Sequence, residues 1–323
     1  RSVMDALIGA INPSGKLAET FPVSYDDCSS VSHFPGKEMT VEYREGLYIG
    51  YRYYETAQVG VAYPFGHGLS YTTFEYSDVK VEEKGVSFTV TNTGAVGGAE
   101  ISQLYVGKRG GKIFRPVKEL KGFAKTYLEA GASATVSIAF DDKTFRYFNV
   151  NTSKWEEEGG EYQLYIGASV ADIRLEASIR RAGTTDDCPY TVSQLPSYYS
   201  GKVRNVNEAE FEALLGRKIP ASGYDFYKKN RMVIHENCTV ADLRYSKRWI
   251  GRLFAGVIRF AIGFLKATGK RAKANELIQG VLHQPVRGLA KYGKMSRRQM
   301  EAMLMMFNGH FFKGVAQFLS KSK

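Results

Sequence analysis

Apolar and polar residues alternate with a period of two through the middle of the chain, between residues 76 and 181. The clearest run places Val86, Phe88 and Val90 on one face. This period is that of a β-strand, and Gly, Asn and Asp turns separate about seven such runs. The pattern is typical of an antiparallel β-sandwich of about 100 residues.

The periodicity changes to that of helices after residue 206. Asn207 is a plausible N-cap with Glu210 three residues later, and Gly216 ends this first helix. Ser296 is placed to cap the last one. The strongest helical patterns cover residues 240–268, 272–283 and 296–320.

The first residues show a third pattern. Apolar positions in residues 1–10 have helical spacing, the segment NPSG (12–15) breaks the helix, and a short apolar run ends at Pro22. A helix, a turn and a short strand are typical of the end of an α/β domain, but they are too few to bury a sheet. We therefore expect the main body of that domain to lie outside this chain.

The sequence thus predicts a multi-domain protein, with a β-sandwich preceded by a remnant of an α/β domain and followed by a mostly α-helical tail. The predicted segments are the α/β end (1–42), an interdomain linker segment (43–75), the β-sandwich (76–181), a second linker (182–205) and a helical C-terminal domain (206–323).

The net charge of +11 is unevenly distributed along the chain. From residue 182 onward there are 24 Lys and Arg but 10 Asp and Glu, whereas the first 181 residues hold 20 and 23. A basic tail of this kind either binds an anionic partner or forms a solvated basic surface. No recognisable helix-turn-helix or aromatic–basic interleaving accompanies it, so we predict no nucleic-acid partner.

The segment 246–273 concentrates this charge on an amphipathic helix. Arg248, Arg252, Arg259 and Lys266 fall within a narrow arc, and apolar residues cover much of the rest. Arginines inside the apolar run argue against a membrane span. The pattern favours a small helical bundle that exposes only the cationic stripe, with an anionic membrane surface as the alternative partner.

Cysteine and histidine usage limits the chemistry. Cys28, Cys188 and Cys238 are odd in number, far apart and without a CxxC pair, which argues against a disulfide framework and a zinc site. The histidines lack metal-ligand spacing, and the Gly-rich loop at 107–125 lacks a phosphate-loop pattern. We expect no metal, no cofactor and a reducing, cytoplasmic location.

Three ordered motifs carry a family resemblance: GKLAETFP, then YREGLYIGYRYYE, then YPFGHGLSYTTFEYSDVKV. Together they resemble the C-terminal part of bacterial β-glucosidases of glycoside hydrolase family 3, over residues 1 to about 181. The resemblance implies the end of an α/β-sandwich domain followed by a fibronectin type III-like domain. It also implies that both catalytic carboxylates, which flank the glycosidic bond in this chemistry, lie outside this chain. The run Glu156, Glu157 and Glu158 beside a turn is expected to be solvated, without a catalytic role.

The aromatic segment 43–75 is expected to form a seam between packed domains, because Gly66 and Gly68 permit close approach and many aromatic rings need burial. Some of its residues could instead touch substrate in the complete enzyme. These are Tyr43, Arg44, Glu45, Arg52, Tyr54 and His67. For each of them a structural contact is the alternative, and for His67 a packed or capping histidine is the alternative to a proton shuttle.

Two functions therefore remain open. In the first, the chain is a supporting portion of a β-glucosidase-like hydrolase and is inactive alone. Its partners are then the barrel and α/β-sandwich domains, with a β-glucoside or oligosaccharide as the substrate of the whole enzyme. In the second, the chain is a stand-alone carbohydrate-binding, membrane-binding or protein-interaction module.

Overall fold

The computed structural model describes residues 2–34, 41–219 and 231–320. They divide into two compact units, the first ending at Ile219 and the second containing residues 231–320. The predicted boundary at residue 206 therefore lies inside the first unit. The reason is local packing, because residues 195–211 cover aromatic side chains of the segment 43–75, as shown below.

The first unit contains a sandwich of two antiparallel sheets. One sheet has the strand order β11-β10-β5-β6 and the other β3-β4-β7, while β8 and β9 form a hairpin and β1 pairs with β2. The strands are β1 (Phe21–Pro22), β2 (Val61–Tyr63), β3 (Phe74–Glu82), β4 (Gly85–Asn92), β5 (Gly98–Gly107), β6 (Glu119–Leu128), β7 (Ser133–Ala139), β8 (Arg146–Asn149), β9 (Lys154–Glu157), β10 (Gly160–Gly167) and β11 (Ile173–Arg181).

The sandwich core confirms the predicted alternation. Every second residue of β4 is buried, and these include Val86, Phe88 and Val90. They pack in one apolar cluster with Leu104 and Val106 of the facing sheet. Period-two patterning is sufficient to predict which residues of these strands are buried, because each strand of such a sandwich turns one face to the core.

Strand β5 departs from simple alternation, since it is buried on both faces along its second half. Leu104 and Val106 enter the sandwich core, while Tyr105 on the opposite face packs against Tyr51 and Phe65 of the segment 43–75. That segment therefore covers the outer face of this sheet.

Nine helices are described. The first unit has α1 (Ser2–Leu7), α2 (Tyr51–Ala57), α3 (Pro196–Ser200) and α4 (Glu208–Leu215); the second has α5 (Trp249–Ala267), α6 (Arg271–Leu277), α7 (Val286–Tyr292), α8 (Arg297–Phe307) and α9 (Phe311–Leu319). The predicted cap of α4 is confirmed, because the Asn207 side chain accepts from the Glu210 amide at 2.9 Å. Among the described helices, none is both long and apolar enough to cross a membrane.

The helical unit differs from the sequence pattern at two points. The predicted helix 240–268 starts its α-helical part only at Trp249. The predicted helix 296–320 begins at Ser296 with a capping box to Gln299, as expected, but breaks after Phe307. Gly309 has a φ of +100°, and this left-handed residue turns α9 back onto α8.

The N-terminal elements agree with the predicted helix, turn and strand. However, β1 pairs with β2 of the segment 43–75, and no larger sheet continues from it among the described residues. Helix α1 leaves its apolar residues Val3 and Leu7 at least 70% exposed. These elements thus lack a core of their own in the described part of the chain.

Phe88→Ala should lower the free energy of unfolding of the sandwich by about 3–5 kcal/mol, because it leaves a cavity in a closely packed core. Phe88 is 1% exposed and stacks on Tyr76 at 5.8 Å between ring centroids. The matched control is Phe123→Ala, since Phe123 is 68% exposed in the same sandwich and should cost less than about 1 kcal/mol. Urea titration followed by tyrosine fluorescence measures both, and equal losses would contradict the assigned core.

Candidate functional site: the ribbon and the aromatic cleft

The segment 43–75, here called the ribbon, is bound to the sandwich in part through one buried side chain of β5. Gln103 Nε2 donates to the carbonyl of Gly66 at 3.2 Å and to that of Ala168 at 2.7 Å. Tyr105 donates its hydroxyl to Gln103 Oε1 at 2.5 Å. The amide is 3% exposed, so each of these bonds also satisfies a polar group that burial would otherwise penalise.

The two glycines predicted to allow close approach do so. Gly66 has a φ of +81°, and a Cβ there would lie 2.2 Å from Gln103 Oε1. A Cβ on Gly68 would lie 2.4 Å from the carbonyl oxygen of Gly15. The PFGHG motif is therefore shaped by close contacts on two sides, one with the sandwich and one with the NPSG turn.

The N-terminal motif and the ribbon hold each other through backbone bonds. The Leu17 amide donates to the carbonyl of His67, and the Gly66 amide donates to the carbonyl of Leu17, both at 2.8 Å. Asn12 bridges the same region to the sandwich, because its Nδ2 donates to the carbonyl of Gly97 at 3.0 Å while its Oδ1 accepts from the Tyr71 amide at 2.9 Å. The first and third motifs thus form one structural unit.

A buried ion pair reinforces this junction. Lys16 Nζ lies 3.3 Å from Glu100, whose side chain is 6% exposed. Tyr76 donates its hydroxyl to the same carboxylate at 3.0 Å. Burial first, and then the charge of Glu100, raise the pKa of Tyr76, so this phenol stays protonated as the donor.

The middle motif buries its tyrosines inside the first unit. Tyr48 is fully buried and donates its hydroxyl to the carbonyl of Tyr198. The hydroxyl of Tyr51 accepts from the Leu120 amide at 2.8 Å. The cluster around Tyr48 takes its other members from the ribbon and from residues beyond the sandwich, namely Tyr53, Tyr54, Leu195, Tyr198, Val203, Val206 and Phe211. The predicted linker 182–205 therefore includes part of a core.

Four of the six candidate substrate residues make internal contacts. Arg44 pairs with Glu42 at 2.6 Å and donates to the carbonyl of Val206 at 2.9 Å. Glu45 is 8% exposed. The remaining two contact other parts of the first unit: Arg52 lies 3.5 Å from Glu119, and the Tyr54 hydroxyl lies 3.8 Å from Cys28 Sγ.

Tyr43 is the most exposed member of the set, whereas His67 is half-buried, as are Arg44 and Arg52. Tyr43 is 70% exposed, and the half-buried His67 packs its ring 5.5 Å from that of Tyr63. The structure thus separates Tyr43 from the other five candidates, which are half-buried or buried. The site itself stays a prediction.

The ribbon and the N-terminal segment also expose a set of large apolar side chains, here called the ribbon face. The largest exposed fraction among the ribbon residues is that of Leu69, at 75%. The members are Tyr43, Ile49, Tyr63, Leu69 and Tyr71 of the ribbon and Val3, Leu7, Phe21 and Val23 of the N-terminal segment.

A cleft of about 600 Å³ opens beside the ribbon, between it and the β8–β9 hairpin. Trp155 and Phe148 line it, are about half exposed, and meet edge to face at 5.5 Å. Arg146 lies 4.3 Å above the indole ring, a cation–π distance. Glu119 and Lys121 add polar groups to this aromatic cleft.

The acidic run next to the cleft is less solvated than the sequence indicated. Glu158 is 9% exposed and accepts from Arg115 at 3.2 Å and from the Lys112 amide at 2.5 Å. Glu157 pairs with Arg181 at 3.1 Å. These carboxylates organise the loop after β5, which accounts for their position in the fold.

Sequence reasoning missed both Gln103 and the aromatic cleft. An isolated polar residue at an alternating position does not reveal that the outer face of a sheet will be covered. One feature of the sequence could have indicated the cleft. Trp155 is one of two tryptophans in the chain and lies in a strand beside a turn.

Comparison with known proteins matches this architecture. The fibronectin type III-like domain matches residues 100–170. A thermostable β-glucosidase B from Acetivibrio thermocellus is 47% identical over 187 residues, which are 55% of this chain and 25% of that protein. An exo-α-(1→6)-L-arabinopyranosidase from Bifidobacterium longum is 42% identical over 59% of this chain and 26% of its own length.

A solved structure extends the likeness to the fold. The family 3 β-glucosidase of Bifidobacterium adolescentis superposes with a TM-score of 0.55 at 38% identity, over 62% of this chain and 31% of that one. The chain contains a fibronectin type III-like domain, and its first unit is similar to the C-terminal part of family 3 β-glucosidases. The predicted resemblance is thereby confirmed, and the chain spans about a quarter of the length of the two curated relatives.

Gly66→Ala should destabilise the first unit by about 2–5 kcal/mol, because left-handed strain adds to a clash with Gln103. Gly110→Ala is the matched control, since Gly110 also has a positive φ, +67°, but a Cβ there would meet no atom within 4 Å. We expect the control to cost about 1–2 kcal/mol. Thermal unfolding by circular dichroism compares the two, and equal losses would show that the Gln103 contact is dispensable.

Proposed function

We propose that this chain is the supporting C-terminal portion of a β-glucosidase-like glycoside hydrolase and that it does not hydrolyse glycosides alone. The ribbon face carries the proposal. The ribbon is fixed by Gln103, the NPSG turn and buried tyrosines, yet several of its large apolar side chains stay exposed. Exposed apolar side chains of this kind indicate a site that binds another domain or protein.

The covering body in this proposal is the remainder of the enzyme, a barrel and an α/β-sandwich domain. Helix α1 and strand β1 are then the end of that α/β domain. Their exposed Val3, Leu7 and Phe21 support this assignment, because they need a core that the described residues do not supply.

The catalytic carboxylates are assigned to the same remainder. Two buried carboxylates of the first unit support this, since both have structural partners. Glu100 binds Lys16 and Tyr76, and Glu158 binds Arg115. A catalytic pair must instead flank a bound glycosidic bond.

Within the substrate site of the whole enzyme, we assign Tyr43 and His67 the positions nearest to the sugar. The 70% exposure of Tyr43 supports its assignment, and the His67 ring lies 5.5 Å from that of Tyr63, a member of the ribbon face. A β-glucoside or a related oligosaccharide is the proposed substrate class, and the relatives carry names for both glucosidase and arabinopyranosidase activity. Three free cysteines support the proposed cytoplasmic location.

A chimeric enzyme tests the supporting role. Residues 2–219 replace the matching quarter of the A. thermocellus β-glucosidase, and hydrolysis of p-nitrophenyl β-glucoside is measured. We expect activity from the chimera and none from the chain alone. Leu69→Asp in the chimera should lower activity by about tenfold or more, because it buries an unpaired charge at the proposed contact.

Val192→Asp is the matched control for this test. Val192 is 61% exposed in the same unit and lies outside the ribbon face, so the substitution should leave activity within about twofold. Full activity of the Leu69→Asp chimera would contradict a covered ribbon face, and hydrolysis by the chain alone would contradict the supporting role.

The aromatic cleft favours a second function, non-catalytic carbohydrate binding. A pyranose ring presents an apolar face and a rim of hydroxyl groups. Trp155 and Phe148 supply exposed aromatic surface, and Arg146, Glu119 and Lys121 supply charged hydrogen-bonding groups around it. This role is compatible with the first and would hold substrate chains near the enzyme.

Isothermal titration of the full chain with cello-oligosaccharides tests this second function. We expect Trp155→Ala to weaken binding by roughly tenfold, the effect of losing one aromatic stacking contact. Trp249→Ala is the control, because Trp249 is similarly exposed, at 63%, but lies in the other unit. Absence of measurable binding by the unsubstituted chain would remove this function.

A further inference from the structure

Helix α5 of the second unit presents two apolar faces. One packs against its own unit, where Ala255 and Ile262 join the helical core and Phe254 contacts the ring of Phe307 at 5.5 Å between ring centroids. This burial fixes the helix in place. No described residue of the unit covers the opposite face of the helix.

The second face is an exposed stripe, here called the α5 stripe. Its five members lie at helical spacing along one side and have exposed fractions of 57–77%. Over 15 residues the stripe runs for about 22 Å. It consists of Trp249, Leu253, Val257, Phe260 and Phe264. The sequence pattern favoured a bundle that exposes only cations, whereas the structure shows a bundle that exposes this apolar row as well.

Helix α9 adds further apolar surface near the start of the stripe. The turn before α9 lies against α5, because a Cβ on Gly309 would be 2.7 Å from the Arg248 side chain. Phe312, three residues later, is 86% exposed. The N-terminal end of α5 and the N-terminal end of α9 are thus neighbours, and both carry exposed aromatic side chains.

Exposed cations accompany the stripe on one side of the helix. Arg259 and Lys266 are exposed and lie on one side of the apolar row. Arg252 instead donates a hydrogen bond to the carbonyl of Ser246 at 2.8 Å. Residues 231–320 hold 16 Lys and Arg but four Asp and Glu. The surface therefore combines apolar side chains with a strongly positive field.

We infer that the α5 stripe binds an anionic lipid surface, with the helix lying in the plane of the headgroups. An aromatic and aliphatic row bordered by Lys and Arg fits this environment, in which apolar side chains enter the acyl boundary and cations reach phosphate groups. Charge complementarity favours lipid over a second copy of the chain, because pairing two such units would bring like charges together.

Vesicle co-sedimentation of the full chain tests the inference. Phosphatidylcholine vesicles with and without about 30% phosphatidylglycerol are compared at low and high salt. We expect binding to the anionic vesicles at low salt, falling as salt rises. Phe260→Ser with Phe264→Ser should lower partitioning by roughly a hundredfold, and Arg259→Gln with Lys266→Gln by roughly tenfold.

Two controls keep the result interpretable. Phe123→Ser removes an equally exposed phenylalanine from the first unit and should leave partitioning unchanged. Helical circular dichroism should be the same for all variants. Failure to sediment with anionic vesicles at low salt would overturn the inference. A stable dimer that the Phe260→Ser, Phe264→Ser variant dissociates would overturn it as well, since a second copy would then occupy the stripe.

Discussion

The Gln103 side chain is the contact on which the arrangement of the first unit depends. Its amide hydrogens reach two carbonyls on separate loops, one in the ribbon and one after β10, and its oxygen is occupied by Tyr105. A buried amide with these partners cannot be replaced by an apolar residue without leaving carbonyls unsatisfied. The glycine at position 66 follows from the same contact, because no side chain fits between the ribbon backbone and this amide.

Fixing the ribbon determines what its side chains can do. Tyr48 and Tyr51 are committed to interior hydrogen bonds, so their rings are not available to a substrate. Leu69 and Tyr71, in the same segment, stay 75% and 54% exposed while the backbone around Gly66 and Gly68 is held on both sides. A segment this rigid can present apolar side chains to a partner without an ordering cost on binding, which is the advantage of a pre-organised surface.

The sequence predicted the sandwich well, because the alternation of Val86, Phe88 and Val90 depends on local periodicity alone. It predicted the need for glycine at position 66 but not its partner, since contact with Gln103 joins residues far apart in sequence. The break in the last helix was missed because Gly309 costs little in an isolated helical pattern, and only packing of α9 on α8 makes the turn favourable. The candidate tyrosines were ambiguous for the same reason: aromatic density indicates burial without saying what covers each ring.

The two units leave apolar surfaces of different chemical character. The ribbon face belongs to a part of the chain with nearly balanced charge, and its side chains stand on irregular backbone held by specific hydrogen bonds. The α5 stripe lies on a regular helix in a unit rich in Lys and Arg. A fixed, irregular surface suits one partner of complementary shape, whereas a straight apolar row with a cationic border suits a surface that is fluid and negatively charged. Because a lipid headgroup layer adapts to the helix, the stripe needs periodicity and charge but no detailed complementarity of shape.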